Sequence, residues 1–449
     1  MEPLSRVYKY WRRWIYRAAL VLYVLMGSYL FWRSHDSTHD KGWKPNGAFD
    51  ILPPSPSPSE EPECPSIPGL NDIHVVLKTG ATEALKKLPV HSNTTLRCIP
   101  YFTIFSDYKE DIAGFHTLDV LRGVDDEIKN THPEFELYTS LRDSGRDALS
   151  AWNVTDDKST PVGKPNNPGW VLDKWKFLPM MHETLKARKS AKWYVFMEAD
   201  TYIIWPNLLA WLGQLNANEL YYLGSPVQMG PLLFAHGGSA FVLSHAALKR
   251  VTKFHSTRVK EWDEFTHQQW AGDGVLGKAL QDAGVELHGS WPMLQGERPW
   301  TFDYQSTGFG KSPWCYPPVA YHHMTPDDIQ AVWDFENNWR RENGNKFILH
   351  SDVFQKLVEP RFSKPGQDWD NNSPDPIKEV QSATDCAAQC ADDAECFQYS
   401  YELESCRTSK SAKGGVRKPG VVSGWMAERI NHKVAQLGSC KKIEWIRPH

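Results

Sequence analysis

The chain predicts an α/β fold built on a mostly parallel sheet, and three observations carry this. Short apolar runs such as "DIHVVLKTG" and "YFTIFSD" end in small or acidic residues and lead into helical patterns. In "KWYVFM" the five residues after the lysine are apolar or aromatic in both alternating registers, as a central strand covered on both faces must be. Directly behind it, "WYVFMEADTYIIW" sets Glu198 and Asp200 where the strands of such a sheet deliver their ligand-binding residues. A hydrophobic segment precedes this region and a cysteine-rich one follows. The expected order is therefore a transmembrane helix, the α/β domain and a small disulfide-rich α+β module.

The first element is the apolar segment 14–32, interrupted by Arg17, with Trp14, Tyr16, Tyr29 and Trp32 suited to the two membrane interfaces. Its apolar part is short for a ~30 Å hydrocarbon core, but an arginine near the end of a span can snorkel. Arg6, Lys9, Arg12, Arg13 and Arg17 all precede the run, which keeps residues 1–13 in the cytosol and sends the remainder into the lumen. A cleaved signal peptide is the alternative, but no small-residue cleavage site follows the run, so an uncleaved signal-anchor is expected. Residues 33–68, with "ILPPSPSPSEEPECPSIPG", are polar and proline-rich and read as a stem.

The α/β domain is expected over 69–373. A strand in "DIHVVLKTG" ends at Thr79-Gly80 and gives way to a helix around "ATEALKKL"; a second strand ends at Asp107. "GWVLDKWKFLPMMHETLKA" reads as one amphipathic helix. After the acidic pair, Pro206 opens a helix in which Leu208, Leu209, Leu212 and Leu215 share a face. From 374 to 449 the texture changes, with four cysteines inside "CAAQCADDAECFQYSYELESC". A disulfide-stapled module is the economical reading.

Composition narrows the function. The 449 residues are 41% apolar and 23% charged, an ordinary globular balance. Net charge is −4, yet the first seventeen residues carry five basic groups and one acidic, so the lumenal part is more acidic still, which argues against a nucleic-acid surface. Eight cysteines, all beyond the apolar segment, fit an oxidising compartment, as do the glycosylation acceptors Asn93-Thr94-Thr95, Asn153-Val154-Thr155 and Asn371-Asn372-Ser373. The 20 tryptophans suit either sugar stacking or core packing.

In extended backbone, residues two apart point the same way, so Glu198 and Asp200 can face one hard divalent cation, which suits a diphosphate ligand. The plain alternative is that they mark where the strand leaves the core. Gly237-Gly238 precede another apolar strand, either for close approach of backbone to a ligand or as a tight turn. Asp273 opens a helix in "AGDGVLGKALQDAGV", where it is a reactive carboxylate or an ordinary N-cap. His322 and His323 end a strand in "VAYHHMTPDDI" and offer imidazole ligands, or are simply exposed. Trp291, Trp300 and Trp314, in a loop-rich stretch, are candidates for stacking a sugar ring, with core roles as the alternative.

Taken in order, "VVLKTG", "WYVFMEADTY", "HGGSAFVLS", "GDGVLGKAL" and "AYHHM" resemble glycosyltransferase family 31, close to the core 1 β-1,3-galactosyltransferases and more distant from the Fringe enzymes, in a version seen in filamentous fungi. The resemblance spans 73–336 and implies a GT-A fold, a UDP-sugar donor, Mn²⁺ and inversion at the anomeric carbon. It makes Asp200 the leading metal ligand, with Glu198 as the first acid of the family's acidic stretch and Ala199 in place of the middle one. Asp273 matches the family's general base, with Gly272 where an acid usually precedes it. His322 matches the late metal-binding histidine, with His323 a register alternative, and Thr79, Gly80 and Asp107 fall where the family's strands meet the nucleotide. The cysteine-rich tail resembles a PAN/Apple module, which implies the pairs Cys386–Cys406 and Cys390–Cys396; Cys64–Cys98 and Cys315–Cys440 are guesses for the rest.

The expected protein is a single-pass type II Golgi membrane enzyme with a lumenal catalytic domain. It moves a hexose, galactose in β-1,3 linkage by resemblance, from a UDP-sugar to a glycan or glycoprotein hydroxyl, N-acetylgalactosaminide among the acceptors. A homodimer is left open. The alternative is a membrane-tethered glycan- or protein-binding protein on a decayed transferase fold, motivated by the two missing acids.

Overall fold

The structure, a computed structural model, describes residues 64, 66–152, 154, 164–363 and 366–447. The anchor expected at 14–32, the cytosolic tail, most of the stem and the sequon at Asn153 lie outside them. Among the described residues no helix is long and apolar enough to cross a membrane.

Twelve strands belong to the α/β part: β1 (Ile73–Lys78), β2 (Phe102–Ser106), β3 (Asp111–Ile112), β4 (Phe115–Asp119), β5 (Trp193–Glu198), β6 (Tyr202–Ile203), β7 (Tyr222–Gly224), β8 (Pro226–Met229), β9 (Leu232–Ala235), β10 (Phe241–Ser244), β11 (Leu287–Gly289) and β12 (Ala320–Tyr321). Eight of them form one sheet in the order β11-β7-β10-β5-β1-β2-β4-β3. β1 runs parallel to both β2 and β5, β2 to β4 and β7 to β11; β10 is antiparallel to its neighbours β5 and β7. The mixed, mostly parallel sheet fits an α/β transferase domain.

Both faces of the central strands are apolar because both are covered. Val75, Leu77, Val195 and Met197 join a core under the helix Trp205–Leu212, with Leu208, Leu209 and Leu212. Val76, Tyr194 and Phe196 point the other way, against Phe177, Met180, Met181, Val275, Leu276, Ala279 and Leu280 of the helices Phe177–Ala187 and Gly272–Asp282. The single helix expected over "GWVLDKWKFLPMMHETLKA" is in fact Pro168–Asp173, a tighter turn Lys174–Lys176, and Phe177–Ala187. Pro179 accounts for the break: it has no N–H to give, and its ring crowds the carbonyl four residues back, at Trp175.

The C-terminal part is a five-stranded antiparallel sheet, β13 (Gly366–Asp370), β14 (Asp375–Ile377), β15 (Gln398–Glu402), β16 (Ser405–Ser409) and β17 (Val416–Trp425), in the order β13-β17-β15-β16-β14, with the helix Ala383–Asp392. The four disulfides join Cys64 to Cys98, Cys315 to Cys440, Cys386 to Cys406 and Cys390 to Cys396, the pairs expected. A third core is shared between the two parts, with Tyr202, Tyr304, Trp333 and Phe354 alongside Ala412 and Ile430 and, at its edge, Trp425. The last residues return to the α/β part, where Trp211 donates to the Ile446 carbonyl at 2.7 Å.

One expectation is corrected and one pair of alternatives is decided. Asn371 is fully buried, and its side-chain amide donates to the carbonyls of Tyr399 (2.9 Å) and Gly424 (3.3 Å), so this sequon presents no amide to a glycosylating enzyme. Trp300 and Trp314 are core residues with no face for an acceptor sugar, and Trp291 packs on Phe302 and Phe309.

Candidate active site

The parallel strands β1, β2 and β5 all end at one rim of the sheet, and the sequence places chemistry at each end. β5 stops at Glu198, a tight turn brings Thr201 N to the Glu198 carbonyl at 3.0 Å, and Asp200 sits at its tip. β10 runs the other way, so Gly237-Gly238, just before it, arrive at the same rim. His322 arrives through β12, which pairs antiparallel with β6 and sets Tyr321 opposite Tyr202. The next residue on one strand therefore faces the preceding residue on the other, and the Met324 N–H closes the bend on the Asp200 carbonyl at 2.9 Å.

The result is a compact acid–imidazole cluster. His322 Nε2 lies 3.1 Å from Asp200 Oδ1 and 3.7 Å from Glu198 Oε2. Donor atoms of Asp200, His322 and His323 all fall within 4.8 Å of one another. Both ring nitrogens of His322 are shut off from solvent without a well-aligned hydrogen-bond partner, although the ring is buried. An imidazole in that state beside two carboxylates fits a divalent-cation site. Two glycines make the room: a Cβ at Gly238 would stand 2.1 Å from the His322 ring, and one at Gly237 3.3 Å from Glu198 Oε1.

Lysines surround the cluster. Lys78, at the end of β1, pairs with Glu198 at 3.1 Å and also with Asp173. Lys87 bridges Asp200 Oδ2 (3.1 Å) and Glu83 (2.6 Å), and the His91 ring donates to the Ala199 carbonyl at 2.8 Å. Burial works against ionisation of both acids, but His322 and Lys87 outweigh it at Asp200, and Lys78 and His322 at Glu198, so both carboxyls are held well below their usual range. Burial likewise opposes the imidazolium, yet Asp200 and then Glu198 raise His322 to about 9.

Asp273 has the opposite character. It stands in the first turn of Gly272–Asp282, where Oδ2 accepts from Gly237 N and Oδ1 from Gly274 N, each at 2.9 Å. Burial is the main influence and Glu198 adds to it, so despite these bonds the carboxyl is pushed up to about 6. Its backbone bond to Gly237 ties it to the cluster. Gly272 is glycine for a spatial reason: a Cβ there would lie 2.6 Å from the Lys174 backbone and 2.4 Å from the Phe177 ring. Thr79 and Gly80 end β1 at the same rim. Asp107 is buried beneath them, accepts from Ala81 N at 2.8 Å and pairs with Lys176 at 2.9 Å, so it holds the turn that follows Thr79.

Sequence reading missed Lys78, Glu83, Lys87, Asp173 and Lys176. The signal was present for one of them, a lysine closing the buried run "IHVVLK".

The mixed α/β fold, with this rim at its strand ends, fits an α/β transferase domain. No protein-family model matches the chain. It is similar to the glycoprotein-N-acetylgalactosamine 3-beta-galactosyltransferase 1 of Xenopus laevis, 23% identical over 210 residues, which is 41% of this chain and 56% of that protein. The chain thus spans about half the length of this curated relative. The distant similarity supports the relationship to glycosyltransferase family 31 that the motifs suggest.

Proposed function

We propose that the chain is an inverting, metal-dependent hexosyltransferase of GT-A type, acting on a UDP-sugar donor and a glycan or glycoprotein hydroxyl. The observation that carries this reading is the convergence of Asp200, His322, Glu198 and Asp273, from segments far apart in sequence, on one rim of the sheet. Asp200 and His322 would hold the ion, with Glu198 and His323 alongside. When bound there, Mn²⁺ supplies positive charge that offsets the charge growing on the departing diphosphate.

The chain's own residues do the rest. The Asp273 carboxylate accepts the proton of the acceptor hydroxyl as that oxygen forms its bond to the anomeric carbon. The bond from that carbon to the diphosphate breaks on the opposite face, UDP leaves with the electron pair, and the configuration inverts. Lys78 and Lys87, already paired with the acids of the rim, keep the cluster ionised and aligned. A hexose donor, galactose first, and β-1,3 linkage to an N-acetylgalactosaminide follow from the resemblance and from the printed name of the relative. A Golgi lumenal setting behind a signal-anchor, and a PAN/Apple-like tail, belong to the same reading.

The decayed-fold alternative rests on the two missing acids. Ala199 is buried and Gly272 fills a position with no space for a side chain, so each replacement has a packing reason apart from loss of activity. A panel of UDP-sugars with Mn²⁺ and an N-acetylgalactosaminide acceptor tests the proposal. Transfer with inversion is expected; no donor turned over, with glycan binding intact, overturns it in favour of a binding protein.

A further inference from the structure

A second cluster of metal-ligating side chains lies apart from the rim and shares no residue with it. His132 follows the short helix Asp126–Thr131, Glu134 sits in the turn Pro133–Phe135, and His267 ends the helix Val259–His267. One donor atom from each of the three falls within 4.8 Å of the others. The two imidazoles meet edge to face with ring centroids 3.9 Å apart, and His132 Nδ1 is shut off from solvent with no hydrogen-bond partner. Glu134 is held from behind: Trp175 Nε1 donates to Oε2 at 2.7 Å and Lys174 Nζ to Oε1 at 2.8 Å.

We propose that His132, Glu134 and His267 form a second metal site, one for zinc or a similar borderline divalent ion. Two imidazoles and one carboxylate are a zinc donor set; a hard ion such as Mn²⁺ or Mg²⁺ prefers oxygen. Close packing of two imidazoles with no proton shared between them is relieved when a cation takes their lone pairs. The fixed Glu134 matches the outer-shell support that ligating carboxylates receive. Lys174 is compatible with a bound cation, since its ammonium is already taken up by Glu134 and by the carbonyls of His267 (3.0 Å) and Gln269 (2.9 Å). Those same bonds give the site its consequence. An ion there ties the segment 132–134 to the stretch 267–272, which delivers Asp273 to the rim. The inference does not rest on the transferase reading.

The test uses the full chain carrying His322→Ala, so that the rim is left with one imidazole and two carboxylates, a set that excess Mn²⁺ occupies, stripped of metal and then dialysed against zinc in the presence of excess Mn²⁺. One zinc per chain is expected, and none when His132→Gln or His267→Gln is added. Co²⁺ in place of zinc needs no further substitution and should give the intense visible bands of a four-coordinate site. A chain that holds no zinc, double variants that keep it, or Co²⁺ spectra of a six-coordinate ion would each overturn the proposal.

Discussion

Asp273 and Asp200 are both partly buried acids at one rim, and their surroundings drive them apart. Asp200 has two cations on it and stays ionised; at Asp273 burial, with Glu198 adding to it, outweighs two backbone amides and pushes the carboxyl up to about 6. A base must be deprotonated to act, so turnover should fall roughly tenfold per pH unit below about 6 and level off above it, as a pH profile of kcat/KM will report. Asp273→Asn should lower turnover ~10²–10⁴-fold with UDP affinity little changed, which titration calorimetry separates from kinetics. Glu198, Asp200 and His322 stand out in the sequence because each lies at the end of an apolar run, whereas Asp273, in the first turn of a helix, reads as an ordinary N-cap until the motifs are taken together. Lys87 and Glu83 do not stand out, since an i, i+4 pair of opposite charges in a helix normally describes a solvated face. Only the tertiary approach of that helix to Asp200 gives the pair a role.

At the scale of elements, the helix Gly272–Asp282 is fixed at its start by contact. Gly272→Ala should cost about 1–3 kcal/mol by overpacking against Phe177 and the Lys174 backbone, read as a lowered unfolding midpoint. An acid at this position would cost more, so Gly272→Glu should reduce, not raise, activity. Strand periodicity made β1, β2, β5 and β10 readable, because burial on one or both faces leaves a clear pattern. The break at Pro179 was available from the same sequence and was outweighed by the apolar periodicity around it. The burial of Asn371 was not legible. A sequon is a local pattern, and the carbonyls that hold this amide come from Tyr399 and Gly424, far along the chain.

For the molecule as a whole, the cysteine-rich tail is joined to the α/β part by a shared core, by Cys315–Cys440 and by the return of Ile446 to Trp211. A chain ending at 373 should therefore lose its folded state, seen as aggregation or loss of a cooperative melt, and removing the Cys315–Cys440 bond alone should cost about 2–5 kcal/mol, since it closes a span of 125 residues. The same long-range closure builds the rim, which takes its acids from the end of β5 and its imidazole from the end of β12, more than a hundred residues later. The most direct measurement is calorimetric titration of UDP into the chain with Mn²⁺ and with a chelator, for wild type and Asp200→Ala. Mn²⁺-dependent binding in the first and none in the second is the predicted result. Equal UDP affinity with and without the ion, or unaltered Mn²⁺ dependence in Asp200→Ala, would contradict it.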